Sequence, residues 1–241
     1  MEQSRSGAVL AADPSLTSTS RAEAARARAA GYDAWFEEAW GRYAFAVEGH
    51  ALLRALGSLA GVRMVDVGCG SGRFTALFEQ RGARVTGVDA DPAMLELASL
   101  REAGPLVAAD AARLPFSDRA FDVALAATLF EFVAQPALAL AEMARVTRPG
   151  GKLVIGALNV KSPWGVAHRR RLQERPWKGA RFLSPAELRR LGGGYGEIRL
   201  SWALYAPGGM PGLGVLGPLL EMAGHSHPAW GAFQVLTVDL P

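Results

Sequence analysis

The pattern of hydrophobic and polar positions changes near residue 62. Before that point, residues 21–60 carry apolar and aromatic side chains at helical spacing. After it, short apolar runs that suit strands alternate with amphipathic runs that suit helices. The predicted strands are 64–67, 83–88, 106–109, 121–127 and 152–159, followed by 196–205 and 233–240.

Helix-start signals lie between these strands. Asp91 can cap a helix whose first residue is Pro92, and Pro136 opens another helix. Ser184, followed by Glu187, has the spacing of a capping box. Repeated alternation of strand and helix predicts an α/β fold of the Rossmann-like kind, a mostly parallel sheet with helices on both faces. Ligands of such sheets bind beyond the carboxyl ends of the strands.

A chain of 241 residues can bury one substantial core, so a single main domain is expected. Residues 1–20, rich in Ser, Thr and Ala, predict a disordered tail, and residues 21–60 predict a helical cap. The main domain is expected over 61–241, divided into a cofactor-binding half (61–157) and an acceptor-side half (158–241). The second half contains a Gly-rich insertion, 206–232, which has no Lys or Arg and is interpreted as an apolar lid.

The basic residues are concentrated in one region, although the whole chain has a net charge of only +3. Residues 159–205 hold ten Lys or Arg against three Glu. A solvated helix face and a site for an anionic acceptor both fit this cluster. RNA binding is disfavoured, because the sequence contains no known RNA-binding module. The densest part comprises Lys161, His168, Arg169, Arg170, Arg171, Arg175, Lys178 and Arg181.

Cys69 is the only cysteine, which excludes an intrachain disulfide and argues against a structural zinc cluster. The N-terminal residues have no signal-peptide architecture, and no apolar run is long enough for a membrane span. We therefore expect a cytoplasmic protein without a metal site, acting as a monomer or homodimer on a small molecule.

The segment VDVGCGSGRF, residues 65–74, places Gly68, Gly70 and Gly72 at every second position, between a strand and a helix. Bare backbone at that turn lets a ligand approach the helix N-terminus closely. The G-x-G-x-G spacing differs from the G-x-G-x-x-G of dinucleotide-binding proteins. Asp66 would repel a pyrophosphate and favour a positively charged ligand.

Four segments in order resemble the class I S-adenosylmethionine-dependent methyltransferases with a type 11-like domain: VDVGCGSGRF, VTGVDADPAML, AADAARLPFSDRAFD and MARVTRPGGKLVIG. The resemblance covers residues 62–157. It implies S-adenosylmethionine as cofactor and S-adenosylhomocysteine as product. It also implies a seven-stranded sheet whose last strand is antiparallel, with N-terminal helices over the cleft.

The resemblance also implies roles for individual residues. Asp66 would lie near the cationic amino end of the methionine moiety, and Asp89 would accept hydrogen bonds from both ribose hydroxyls. Asp110, with the Ala111 backbone, would hold the adenine edge, although an acid after a strand is also a common turn former. Cys69 is interpreted as a small turn residue rather than a nucleophile. The full predicted cofactor set is Tyr32, Asp66, Gly68, Cys69, Gly70, Gly72, Asp89, Ala90, Met94, Asp110, Ala111, Thr128 and Leu129.

Methyl transfer from a sulfonium is an in-line displacement, in which alignment and exclusion of water supply much of the acceleration. A base is needed for a hydroxyl or carbon acceptor and less for a neutral amine or thiol. The candidate bases are His225 or His227, followed by Glu131. The sequence thus predicts a methyltransferase for a small aromatic or lipophilic molecule. The alternatives are an RNA or tRNA methyltransferase and a noncatalytic S-adenosylmethionine-binding protein.

Overall fold

The computed structural model describes residues 17–168, 179–208, 210, 212–224 and 226–241. Its strands are β1 Arg63–Val67, β2 Arg84–Asp89, β3 Leu106–Ala108, β4 Phe121–Ala127, β5 Thr147–Leu158, β6 Glu197–Ala203 and β7 Phe233–Asp239. Its helices are α1 Ser18–Trp35, α2 Ala39–Leu56, α3 Arg73–Glu79, α4 Pro92–Ser99, α5 Pro136–Val146, α6 Pro163–His168, α7 Pro185–Gly192 and α8 Leu213–Gly224. A 3-10 helix spans Pro228–Trp230.

The seven strands form one sheet in the order β3-β2-β1-β4-β5-β7-β6. Strands β1 to β5 pair in parallel, and β7 runs antiparallel to both of its neighbours, β5 and β6. This confirms the predicted Rossmann-like fold with an antiparallel last strand. The strand order reverses between β1 and β4, and a ligand crevice is expected at such a switch point.

The sheet has a hydrophobic core on each face, as alternating side chains of a buried strand require. In β1, Met64 packs with Leu52 of α2 and Phe78 of α3 on one face. Val65 packs with Met143 of α5 on the other face. The helices therefore cover both faces, as predicted.

The helix-start signals act as the sequence indicates. The Asp91 side chain accepts a hydrogen bond from the Ala93 backbone, and Pro136 lies at the start of α5. Ser184 and Glu187 form a reciprocal capping box. The expected fifth strand starts too late, however. β5 begins at Thr147, directly after α5, and its first residue already pairs with Phe121.

Helix α1 begins at Ser18, inside the segment for which the sequence predicts a disordered tail. The Thr17 side chain caps it by accepting a hydrogen bond from the Ser20 backbone, 3.2 Å away. Residues 1–16 of that segment lie outside the described residues.

The insertion 206–232 contains α8 and the 3-10 helix. The Glu221 carboxylate of α8 accepts hydrogen bonds from the Tyr43 hydroxyl (3.0 Å) and from the backbone nitrogens of Leu204 (3.0 Å) and Tyr205 (2.8 Å). These bonds join the insertion to α2 and to the end of β6. Within the described residues, no helix combines the length and apolar character that a membrane crossing needs.

Candidate functional site

The glycine turn joins β1 to α3, and its three glycines have different surroundings. Gly68, Gly70 and Gly72 all have positive φ, at 74°, 54° and 79°. A Cβ on Gly68 would lie 2.6 Å from the Leu129 side chain, and one on Gly72 would lie 2.8 Å from Ala103. A Cβ on Gly70 would meet no atom within 4 Å. Only Gly70 therefore faces open space that a ligand could fill.

Asp89 lies at the end of β2, beside this open space. One of its carboxylate oxygens accepts a hydrogen bond from the Gly70 nitrogen and the other from the Asp91 nitrogen, each at 2.8 Å. Burial raises the pKa of Asp89 above its usual range. A carboxylate has about four acceptor directions, so about two stay available to a ligand. This geometry suits a pair of ligand hydroxyls.

Asp66 lies in β1 and is only 1% exposed. The Thr75 hydroxyl donates a hydrogen bond to it over 2.7 Å. Burial raises the pKa of Asp66 to about 7. Asp66 therefore places a buried, titratable negative charge beneath the glycine turn rather than on its surface.

The other predicted cofactor residues have mixed environments. Asp110 is exposed and accepts a hydrogen bond from the Ala112 backbone at 2.9 Å, which is the turn-forming role that the sequence left open. Ala111 and Met94 are half-buried, whereas Ala90 is exposed. Cys69 is buried in the turn, and burial raises the pKa of its thiol. A buried neutral thiol fits the interpretation of Cys69 as a turn residue.

Thr128 directly follows β4 and adopts a backbone conformation that is unusual for a β-branched residue. Its φ is 51°, and its nitrogen donates a hydrogen bond to the Gly156 carbonyl at 2.8 Å. Such strain costs about 1–3 kcal/mol and is common at functional sites. The Tyr32 side chain of α1 is hydrogen-bonded to that of Thr128, and burial raises the pKa of Tyr32 to about 12. Tyr32 and Thr128 therefore meet, although they lie far apart in sequence.

These two residues open onto a cavity at the carboxyl ends of β4, β5 and β6, which we call the aromatic cavity. Its wall has two polar members, Thr128 and Glu48. Its aliphatic members are Ala44, Leu158 and Leu204. Six of the eleven lining residues are aromatic, so flat apolar groups dominate the surface: Tyr32, Trp35, Phe36, Trp40, Phe132 and Trp164.

Two buried carboxyl groups belong to this region. Glu48 of α2 lines the aromatic cavity and is 6% exposed, and Glu131 follows β4 and is 3% exposed. One oxygen of Glu131 accepts a hydrogen bond from the Leu158 backbone at 2.5 Å, whereas its Oε2 has no hydrogen-bond partner. Burial raises the pKa of Glu131 to about 7 and that of Glu48 to about 8, the latter with a contribution from the charge of Glu131.

A network of ion pairs around Asp33 fixes α1 over the glycine turn. The Asp33 carboxylate accepts hydrogen bonds from the Ser71 hydroxyl (2.6 Å) and from the guanidinium groups of Arg73 (2.8 Å) and Arg101 (2.5 Å). Arg73 also lies over the Phe36 ring, 5.0 Å from its centroid. Because Tyr32 precedes Asp33, this network determines where Tyr32 meets the cavity.

Of the two histidines of the insertion, only His227 lies among the described residues, and it is not at this site. His227 is exposed, stacks on Trp230 at 4.7 Å and does not line the aromatic cavity. His225 lies outside the described residues, as does the basic segment 169–178. Of the two predicted bases that the structure describes, Glu131 is the one located beside the cavity wall. Within the described ranges, no cluster of His, Cys, Asp or Glu side chains could hold a metal ion.

Sequence reasoning missed Glu48 and Asp33. A signal for Glu48 is present in the sequence, because it lies four residues from both Ala44 and Leu52 and so shares the buried stripe of α2. A carboxylate within an apolar stripe is unusual and marks a candidate site. Asp33 carries no comparable signal, since its partners lie about 40 and 70 residues further along the chain.

A family model described as a methyltransferase domain matches residues 65–155. An uncharacterized methyltransferase of Mycolicibacterium vanbaalenii is 35% identical over 187 residues, which cover 74% of this chain and 71% of that protein. The malonyl-[acyl-carrier protein] O-methyltransferase of Serratia marcescens is 36% identical over 111 residues, which cover 46% of this chain and 44% of that protein. The match therefore spans less than half the length of the Serratia relative.

A crystal structure from Thermotoga maritima also resembles the chain. It is described as an S-adenosylmethionine-dependent methyltransferase and a possible histamine N-methyltransferase. The two superpose with a TM-score of 0.71 and 28% identity, covering 89% of this chain and 96% of the Thermotoga chain.

Proposed function

The chain belongs to the class I S-adenosylmethionine-dependent methyltransferases, and on that premise we propose that it methylates a small aromatic or lipophilic molecule bound in the aromatic cavity. One observation carries the proposal. The open space over Gly70, bordered by the Asp89 carboxylate, lies on the same edge of the sheet as the cavity. Cofactor and acceptor would meet near Thr128.

The residues around the turn fit S-adenosylmethionine. Asp89 has acceptor directions left for the two ribose hydroxyls, and the bare backbone at Gly70 leaves room for the ligand. Asp66 contributes negative charge beneath the turn, which favours the cationic donor. When bound, the cofactor supplies an electrophilic methyl group on a sulfonium.

The remaining residues orient the acceptor and exclude water. Tyr32 and Thr128, joined by their hydrogen bond, form part of the cavity wall. The Asp33 network holds α1 in place, so this helix does not have to be ordered when the acceptor binds. The aromatic walls exclude water from the path of the displacement.

Cofactor binding is tested by calorimetric titration of the purified protein with S-adenosylhomocysteine, with NADH as the control ligand. We expect heat of binding for S-adenosylhomocysteine alone. Uptake of radiolabelled methyl by a panel of phenols, amines and lipophilic acids then tests the reaction. A folded protein that binds neither S-adenosylhomocysteine nor NADH contradicts the proposal. A protein that binds S-adenosylhomocysteine but methylates no compound of a broad panel supports the noncatalytic alternative.

A further inference from the structure

The aromatic cavity has carboxyl groups in and beside its wall that apolar walls alone do not require. Glu48 is part of its wall, and Glu131 contributes an oxygen without a hydrogen-bond partner immediately behind that wall. Among the described residues, no side chain or backbone nitrogen donates a hydrogen bond to Glu48. A buried carboxyl without hydrogen-bond partners is costly to ionise, so its presence needs an explanation.

Among the described residues, no positively charged side chain compensates these two groups. Within the described ranges, no Lys, Arg or His lines the cavity. The titratable groups that act on the two carboxyls, or on Tyr32 beside them, are acidic, and they include Asp89. His168 stacks on the outer side of the wall through Trp164, at 4.1 Å, and its Nδ1 lies 2.9 Å from the Trp164 carbonyl oxygen. A cationic ligand would therefore supply a counter-charge that the described residues do not, and would favour the ionised form of the pair.

The walls also favour a cation. Tyr32, Trp35, Phe36, Trp40 and Trp164 present aromatic rings around Glu48. An ammonium group is attracted by the faces of such rings, most strongly by tryptophan, and the attraction increases when water is excluded. A neutral phenol or alcohol would be attracted by the rings but would leave the two carboxyls uncompensated.

We infer that the acceptor carries a primary or secondary amine, whose ammonium form binds within the surrounding rings, against the Glu48 carboxyl in the wall and near the Glu131 carboxyl behind it. This inference rests on the proposed function and specifies its substrate class. The site is built from α2, from the segment after β4 and from α1, and its wall includes Phe132, which is 47% exposed.

The same two carboxyls can account for the proton that the reaction must release. An ammonium group has no lone pair, so it first gives one proton to the ionised carboxylate of Glu48 or Glu131. The amine nitrogen then forms a bond to the donor methyl carbon while the carbon–sulfur bond breaks. The electron pair of that bond stays on sulfur, and the positive charge passes from sulfur to the methylated nitrogen. Burial, which raises the pKa of both carboxyls toward neutrality, makes them suitable proton acceptors at about pH 7.

The first experiment compares phenethylamine with 2-phenylethanol, which has a hydroxyl in place of the amine. Each is titrated at pH 7 into wild-type protein saturated with S-adenosylhomocysteine, and tryptophan fluorescence reports occupancy of the ring-lined cavity. We expect the amine to bind at least about tenfold more tightly, because it alone offers a cation to rings and carboxyls. Equal binding of the two probes, or no binding of the amine, overturns the inference.

The second experiment uses Glu48→Gln and Glu131→Gln, which preserve shape and remove the charge. Each should weaken phenethylamine binding by at least about 30-fold, the usual scale for breaking a buried charge pair. Affinity for S-adenosylhomocysteine should stay unchanged. Glu38→Gln is the matched control, since Glu38 is exposed at the start of α2 and its side chain makes no capping hydrogen bond.

Different results contradict the proposed function and the amine assignment. Failure of the wild-type protein to bind S-adenosylhomocysteine contradicts the proposed function. Normal binding of S-adenosylhomocysteine combined with methyl uptake by phenols but not by amines overturns the amine assignment alone. Unchanged amine affinity in Glu48→Gln and Glu131→Gln overturns the assignment of the two carboxyls, and the wild-type comparison of amine with alcohol holds even if a variant fails to fold.

Discussion

Replacement of Asp89 by alanine tests the cofactor site most directly. Each Asp89 oxygen already accepts one backbone hydrogen bond, from Gly70 or Asp91, and keeps about one acceptor direction free. Two ribose hydroxyls would fill these directions. A hydrogen bond to a charged group contributes about 1.5 kcal/mol at the low end of the measured range, so the pair contributes about 3 kcal/mol. That corresponds to roughly 100-fold weaker binding of S-adenosylhomocysteine by Asp89→Ala.

The assay is calorimetric titration at a temperature at which the variant is folded. The substitution also removes the acceptor for the Gly70 and Asp91 nitrogens, so a loss of stability of about 1–2 kcal/mol is expected, which thermal unfolding measures. Asp91→Asn is the matched control, because asparagine caps a helix as well as aspartate does, and its affinity should equal that of wild type. A folded Asp89→Ala protein with wild-type affinity refutes the ribose assignment.

Three further predictions follow from the site. The free energy of unfolding of the ligand-free protein should fall as pH rises from about 5 to about 8, because burial raises the pKa of Glu48 to about 8 whereas the unfolded carboxyl ionises near 4.5. When the unfolding temperature is measured against pH, it should fall less steeply for Glu48→Gln than for the wild type. Asp33→Asn should lower the free energy of unfolding, measured in urea, by about 1–3 kcal/mol after allowance for solvent screening, because two arginines lose a shared carboxylate. Arg26→Ala, which removes an exposed ion pair, should cause no measurable change, so equal effects of the two variants would contradict this prediction. Gly70→Ala should weaken binding of S-adenosylhomocysteine more than Gly68→Ala does. Gly68→Ala should lower the unfolding temperature more than Gly70→Ala does, because a Cβ on Gly68 meets a leucine side chain at 2.6 Å.

Local sequence patterns were sufficient for the elements and for the cofactor edge. Apolar runs such as that of β4, and start signals such as Asp91 with Pro92, depend on residues close together in the chain. The G-x-G-x-G spacing with Asp66 and Asp89 is local in the same sense, because two consecutive parallel strands bring their carboxyl ends together. Boundaries were less predictable, as the early start of β5 at Thr147 shows.

The acceptor side could not be predicted in the same way. His227 has the chemistry of a base but lies exposed on a turn, whereas Glu131 is buried beside the cavity. The approach of Glu48 to Glu131 joins residues of α2 and of the segment after β4, which are separated by more than 80 positions in the chain.

The sequence by itself determined the α/β fold, the order of its elements and the glycine turn with its two flanking acids, because strand and helix periodicity and turn chemistry act over a few residues. Only the tertiary structure decided that α1 is fixed over the turn through Asp33, that Thr128 meets Tyr32, and that two buried carboxyls approach each other at the aromatic cavity. These features depend on packing between distant segments, and burial there changes the protonation of a carboxyl in a way that no local pattern encodes.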